Sequence, residues 1–198
     1  DLALWCSFLL AFFCLFRKKN VCPESCEPSN DKTLRRKHLE IDLDNNVVHV
    51  YCNFSKTNQF SSSDLVIPVP GNADPKLDLV HHLSTLFELV DAAPDQPAFT
   101  YSPGRFIHYN QFTVRLKTLL SSCGLNPALY SGHSFRRGGA SFLYQVGGTI
   151  LQIMSSGDWS SNCFTRYLFL TEEERLEAQL LMSSAISLNL KTGKFTIQ

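Results

Sequence analysis

One short segment and one residue downstream of it carry the side chains best suited to chemistry in this sequence. The segment runs from Ser131 to Ser141 and places His133 three residues before Arg136. Residues three apart lie on the same face of a helix, so both side chains can point at one oxyanion. Tyr167 follows and supplies a hydroxyl that can attack a phosphorus atom held by the pair. The pattern indicates phosphoryl transfer to a tyrosine without a metal ion.

The composition predicts one well-packed domain, because the chain has 198 residues and 44% hydrophobic content. The sequence begins at Asp1 without an initiator Met, and we interpret it as a fragment of a larger protein. The 18 basic and 18 acidic residues balance, so no global field attracts nucleic acid. Any such attraction requires local clusters, each of which is equally compatible with an ordinary solvated surface: Arg17 to Lys19, Arg35 to Lys37, and Arg136 with Arg137.

Seven cysteines without a regular spacing predict free thiols in a reducing compartment, and Cys6 and Cys14 lie inside apolar runs that favour burial. Cys22 and Cys26 are close in sequence but lack the further ligands of a zinc site, so we expect no metal. The apolar stretch from Leu2 to Phe16 is too short to cross a bilayer. It predicts a buried core helix and no membrane association.

Alternating apolar and polar residues predict three strands, at 38–43, 47–51 and 65–69. Asp44, Asn45 and Asn46 supply the turn residues of a hairpin between the first two. The polar connection from Ser55 to Asp64 precedes the third strand, whose proline restricts it to an edge or a strand end. Together these segments predict a small three-stranded antiparallel β-sheet.

Helical periodicity dominates the rest of the chain. Apolar residues from Leu77 to Val90 recur on one helical face, and further helices are predicted at about 109–122, 134–147, 149–156, 161–170 and 171–188. The sequence contains no internal repeat. It predicts a mainly α fold with one small antiparallel sheet.

The sequence resembles the catalytic domain of the tyrosine recombinase (phage integrase) family, and most of all the recombinases of DIRS-type and Crypton-like mobile elements. The matching segments occur in the family's order and span nearly the whole chain: 13–17, 54–60, 130–142, 157–159 and 166–168. The resemblance implies a mainly helical catalytic domain over residues 1–198. It also implies an N-terminal DNA-clamping domain that would precede Asp1.

The resemblance also implies a role for each candidate residue. Arg17 and Arg136 would hold the scissile phosphate through bidentate, charge-assisted hydrogen bonds, and His133 would donate to the same phosphate or handle a proton. Lys56 would be the general acid for the leaving 5′-hydroxyl. Tyr167 would attack phosphorus and form a 3′-phosphotyrosyl bond.

Each of these residues also has a purely structural interpretation. Arg17 is compatible with a charge that ends a buried helix, His133 with a capping or core histidine, and Tyr167 with a half-buried aromatic residue. At the position where family members carry His or Trp, either Trp159 or Asp158 can be aligned. We prefer Trp159, because an indole N–H donates to a phosphate oxygen and a carboxylate repels it.

The resulting expectation is a DNA-breaking and rejoining recombinase that needs no cofactor. Two alternatives stay open: a decayed or repurposed DNA-binding module of the same fold, and a relative of type IB topoisomerases. Double-stranded DNA is the expected partner, contacted by Lys18, Arg35, Arg36 and Arg137, in an intracellular, nuclear setting. An apolar face on the last helix is compatible with tetramer assembly or with packing on its own domain: Leu176, Leu180, Leu181 and Ile186.

Overall fold

The structure is a computed structural model that describes residues 1–24, 33–52, 65–159 and 161–168, and helical residues between 172 and 184. The chain divides into two compact units, residues 1–167 and 168–198. In the second unit, residues 172, 173, 175, 176, 179, 180 and 182–184 are helical, and Leu176, Leu180 and Met182 are exposed. The first unit contains all of the predicted sheet and the candidate site residues.

The first unit is mainly helical. Its α-helices are α1 (Leu2–Phe13), α2 (Lys18–Val21), α3 (Leu79–Leu89), α4 (Tyr109–Ser122), α5 (His133–Gln145) and α6 (Ile150–Gly157). Shorter 3-10 helices cover Arg36–His38, Pro127–Leu129 and Asn162–Tyr167. The helices predicted at 109–122, 134–147 and 149–156 are confirmed to within two residues at each end.

Three strands form the predicted antiparallel sheet in the order β1–β2–β3: β1 (Leu39–Asp42), β2 (Val47–Cys52) and β3 (Leu65–Pro70). The pairing aligns Leu39 with Val50 and Val50 with Ile67, so these apolar side chains share one face. That face is buried in the core. A second sheet, the hairpin of β4 (Thr100–Ser102) and β5 (Arg105–Phe106), was not predicted.

Helix α1 is the central element of the core. Asp1 caps it by accepting from the Leu4 N–H at 3.4 Å. Eight of its twelve residues are buried, which confirms the predicted core helix. The prediction that this helix extends to Phe16 is wrong, because the helix ends at Phe13 and Leu15 adopts a left-handed backbone with φ 51° that does not continue it. No described helix is long and apolar enough to span a membrane.

The prediction that Leu77 begins the next apolar helical face is also wrong. Helix α3 begins at Leu79, because the Asp78 carboxylate accepts from the N–H groups of Val80 and His81 and caps the helix there. Leu77 lies before the cap and is 40% exposed. The helical periodicity therefore identified the correct face but overran its start.

The α-helix predicted at 161–170 is instead a 3-10 helix at Asn162–Tyr167. Phe164 is fully buried within it and packs against Trp159, with 5.3 Å between ring centroids. The buried Phe164 ring thus packs this segment against the end of α6.

Four cysteines, Cys6, Cys14, Cys22 and Cys52, are buried and free, which confirms the burial predicted for the first two. Burial raises the pKa of the Cys6 and Cys52 thiols to about 12. They are therefore protonated core residues and not nucleophiles.

Candidate active site

A cleft of about 290 Å³ lies where the α1–α2 turn, the start of α4 and the start of α5 meet. Cationic and hydroxyl-bearing side chains dominate its lining: Arg17, Lys18, Lys19, Tyr109, Ser131, Gly132 and His133. The residues come from three distant parts of the sequence. The fold thus brings two of the predicted catalytic residues, Arg17 and His133, to one cleft.

Arg17 is the exposed N-cap residue of α2, with an extended backbone at φ −76° and ψ 144°. The left-handed turn at Leu15 ends α1 and directs the chain into this position. A bulky residue with positive φ is a strained conformation, which persists where its surroundings fix it. Arg17 therefore begins a short helix beside the cleft and does not end the buried one.

His133 is the first residue of α5. Ser131 fixes this helix start, since its Oγ accepts from the His133 N–H at 3.2 Å and its own N–H donates to Ser134 Oγ at 3.0 Å. Partial burial lowers the pKa of His133, and the positive charges of Arg136, Arg17 and then Arg137 lower it further. The ring is therefore neutral at pH 7 in the free chain and lies within the field of three guanidinium groups.

Arg136 is buried one turn after His133, with 3% of its surface exposed. Its Nη1 donates to the Leu15 carbonyl, and its Nη2 donates to the Gly157 carbonyl at 2.7 Å. These two bonds connect α5 to the α1–α2 turn and to the end of α6. The side chain is therefore held by main-chain groups from both sides.

Trp159 packs under this guanidinium, with 3.8 Å between the Arg136 Cζ and the ring centroid. Asp158 caps α6 in a left-handed conformation, which returns the chain over the helix end. A Cβ on Gly157 would lie 1.9 Å from the Trp159 ring, so only glycine permits this approach. Trp159, the preferred candidate for this position, contacts Arg136 through the face of its ring.

Lys18 is held more firmly than an ordinary surface lysine. Its Nζ donates to Thr113 Oγ1 at 2.7 Å and lies 3.5 Å from the centroid of the Tyr109 ring. Its aliphatic part packs beside Gly132. Sequence reasoning missed Tyr109 as a cleft residue, because nothing in its neighbourhood marks the first residue of α4 as functional.

Lys56 lies outside the described residues, but the two ends of its connection do not. Cys52 ends β2 and Leu65 begins β3, and the two residues pair across the sheet. Leu65 lines a second cavity of about 180 Å³ with Met154, Ser155, Asp158 and Trp159. The connection that carries Lys56 thus starts and ends next to the segment that supports Arg136.

Tyr167 ends the 3-10 helix that Phe164 anchors against Trp159. Its side chain lies outside what the structure describes. The Tyr167 backbone therefore lies three residues after Phe164, whose ring packs on Trp159, the residue that contacts Arg136.

The four predicted DNA contacts differ in their surroundings. Arg137 is exposed beside His133, and Lys18 lines the cleft. Arg35 is half-buried and donates to the Asp95 carbonyl at 2.7 Å. Arg36 is buried, lies 3.8 Å from the Phe87 ring centroid and donates to a main-chain carbonyl of the same region. We therefore restrict the proposed contacts near the cleft to Lys18 and Arg137.

An anion in the cleft is expected to raise the pKa of His133, because it offsets the positive charges that lower that pKa. DNA binding should then take up a proton, and affinity should increase as the pH falls from the His133 pKa of the complex towards the lower His133 pKa of the free chain. NMR titration of the His133 ring with and without sulfate measures the shift. His49 on β2 does not line the cleft and is the internal control. An unchanged His133 pKa at saturating sulfate would contradict the site.

No group of three or more His, Cys, Asp or Glu side chains among the described residues is placed to hold a metal ion. The cleft is lined by cations, a histidine and hydroxyl groups. Such a set can bind a phosphodiester and stabilise negative charge that develops on it.

Comparison with known proteins gives matches at the level of structure. No protein-family model matches the sequence, and no curated protein is similar to it in sequence. The Tn1549 transposon integrase in complex with transposon right-end DNA superposes with a TM-score of 0.60 at 12% identity, over 89% of this chain and 57% of that one. The XerH site-specific recombinase bound to its difH substrate superposes with a TM-score of 0.58 at 12% identity, over 88% and 45%.

The chain thus spans about half the length of the solved structures that it matches. Both matches cover most of this chain, and they confirm the fold that the sequence predicted. The first unit, with its cleft of Arg17 and His133 and its buried Arg136, has the fold of a tyrosine recombinase catalytic domain.

Proposed function

We propose that this chain is the catalytic domain of a DNA strand-cleaving and rejoining tyrosine recombinase of a mobile element, most like the DIRS-type and Crypton-like recombinases. The observation that carries the proposal is the convergence of Arg17 and His133 on one cleft, with Arg136 fixed one turn behind His133. A titratable residue in a cleft whose pKa is shifted by specific charged partners, as that of His133 is, marks a candidate functional site.

In the proposed reaction, the two guanidinium groups and His133 stabilise the charge on the non-bridging phosphate oxygens. The Tyr167 hydroxyl attacks phosphorus and forms a 3′-phosphotyrosyl bond, while the bond from phosphorus to the 5′-oxygen breaks. Lys56 transfers a proton to that leaving oxygen. The reverse sequence of steps, with a 5′-hydroxyl from another strand, rejoins the DNA.

The test is covalent capture of DNA. The full-length protein is incubated with a pool of nicked, randomised duplexes and denatured with detergent, and the DNA that stays attached to protein is sequenced. A recombinase gives an adduct that a tyrosyl–DNA phosphodiesterase removes. Duplex binding without any adduct would instead favour the DNA-binding module without turnover, and relaxation of supercoiled plasmid without target sites would favour the topoisomerase.

Lys56→Ala is expected to slow cleavage by about a hundredfold or more, because the leaving oxygen then lacks its proton donor. A 5′-bridging phosphorothiolate substrate has a better leaving group and needs little protonation, so it should restore the rate. The rates of the variant on the two substrates are compared by single-turnover kinetics. Failure of the sulfur substrate to restore cleavage, with DNA binding intact, would assign Lys56 another role.

Our proposal for the cellular setting is double-stranded DNA as partner, assembly into a tetramer on two duplexes, and action in the nucleus. The exposed leucines of the second unit, Leu176 and Leu180, support assembly, because an exposed apolar helical face gains stability by packing on a partner.

A further inference from the structure

Helix α5 approaches the end of α1 unusually closely at Gly139. A Cβ placed on this glycine would lie 2.6 Å from the Phe12 carbonyl oxygen and 2.4 Å from Leu15 Cδ2. Both distances are far below the usual carbon contact of about 3.5–4.0 Å. The first of these neighbours is main chain and cannot rotate away, so a side chain at 139 would force the two segments apart.

A side chain at position 139 would displace the end of α1, which contacts Arg136 and leads directly into Arg17. Gly139 lies three residues after Arg136, on the same face of α5. Leu15 supplies the carbonyl that accepts from Arg136 Nη1, and it is two residues before Arg17. The backbone of Leu15 is already held in a left-handed conformation with φ 51°. The separation of α1 and α5 at Gly139 therefore sets the distance between Arg17 and Arg136.

Arg136 is fixed on its other side as well, by the Gly157 carbonyl at 2.7 Å and the Trp159 ring. If the end of α1 moved away from α5, Arg136 could not move with it without losing its contact with Gly157 or with Trp159. A displacement at Gly139 would therefore change the spacing of the arginine pair instead of moving the pair as a unit.

We propose that Gly139 is a positioning residue that sets the spacing of Arg17 and Arg136 for a single phosphate through its contact with Phe12 and Leu15. The identity of the ligand as a DNA phosphate rests on the proposed function. The spacing itself is a property of the fold. Gly139 has no functional group, so it acts only by the absence of a side chain.

The neighbouring Gly138 provides a matched control. It is in the same helix, it is exposed, and a Cβ there would meet nothing within 4 Å. Replacing a glycine inside a helix with alanine ordinarily stabilises the helix by about 1 kcal/mol. Gly138→Ala and Gly139→Ala therefore make the same chemical change and differ in the contact with α1.

The experiment compares the two variants in the full chain by three measurements. The first is the pKa of His133 by NMR, which reports the positions of Arg17 and Arg136 without requiring activity. The second is the salt dependence of affinity for a random-sequence duplex, and the third is the cleavage rate. For Gly139→Ala we expect a higher His133 pKa, a salt slope smaller by about one and about a hundredfold slower cleavage. Gly138→Ala should match the parent in all three.

Equal values of the His133 pKa and the salt slope in the two folded variants would overturn the inference. Absence of cleavage in the parent chain would count against the proposed function. The positioning role of Gly139 would then be tested by the His133 pKa alone. If Gly139→Ala does not fold, the double variant Leu15→Ala/Gly139→Ala removes the closest overlap and is compared with Leu15→Ala alone. Identical His133 pKa values in that pair would also overturn it.

Discussion

Replacement of Tyr167 with Phe is expected to abolish the covalent protein–DNA adduct while leaving DNA affinity unchanged. The substitution removes the attacking oxygen alone and keeps the aromatic ring. Without that oxygen no phosphotyrosyl bond can form, so the loss should be complete and not a fractional decrease in rate. The measurement is adduct yield on a duplex nicked next to the cleavage site, with affinity determined in parallel on the intact duplex.

Tyr144→Phe is the matched control for this experiment. Tyr144 lies on α5, about two turns beyond Arg136 at roughly 3.6 residues per turn, and is half-buried. That position does not suit attack on a phosphate held at the start of the helix, so its variant should form adduct as the parent does. An adduct from the Tyr167 variant, or a DNA-linked peptide containing Tyr144, would rule out Tyr167 as nucleophile.

Arg136→Lys should decrease both the free energy of unfolding and the cleavage rate, although it keeps the positive charge. An ammonium group cannot donate to the Leu15 and Gly157 carbonyls in the planar geometry of a guanidinium, nor stack in the same way on Trp159. Each buried carbonyl left without its donor costs about 1–3 kcal/mol. If Arg136 acts on the phosphate as proposed, loss of this preorganised guanidinium should slow cleavage by about 10²–10³-fold.

Arg105→Lys controls for the change of residue type. Arg105 is exposed and does not line the cleft, so we expect its variant to unfold at the same denaturant midpoint as the parent and to cleave at a similar rate. Chemical denaturation and single-turnover cleavage of both variants provide the comparison. Equal unfolding midpoints and equal cleavage rates in the two variants would mean that Arg136 neither stabilises the fold through its carbonyl contacts nor contributes to cleavage.

The sequence indicated which side chains could do chemistry, but it did not indicate the contacts that hold them. His133 and Arg136 were recognisable because residues three apart on a helix share a face. The acceptors of Arg136 were not predictable, since main-chain carbonyls of Leu15 and Gly157 carry no signal in residue type. The partner on which Trp159 packs was not predictable either, and its contact with Arg136 emerged only from the fold.

The errors in the predicted elements have local physical causes. The left-handed turn at Leu15 has no glycine or proline to mark it, so the first helix was extended too far. The β4–β5 hairpin is too short for a periodic signal, although Pro103 and Gly104 mark its turn. Arg36 was assigned to a surface because arginine is usually exposed, and its packing on Phe87 requires knowledge of the neighbouring helix.

The contact of Arg136 with Trp159 gives the protein an intrinsic optical reporter. The chain has two tryptophans, and the other, Trp5, is 37% exposed and donates to the Lys76 carbonyl. A positive charge 3.8 Å from an indole ring acts on its π electrons, and an anion bound in the neighbouring cleft would partly offset that charge. In a Trp5→Phe background, fluorescence would therefore follow the arrival of a phosphate in the cleft in real time, before any bond is broken.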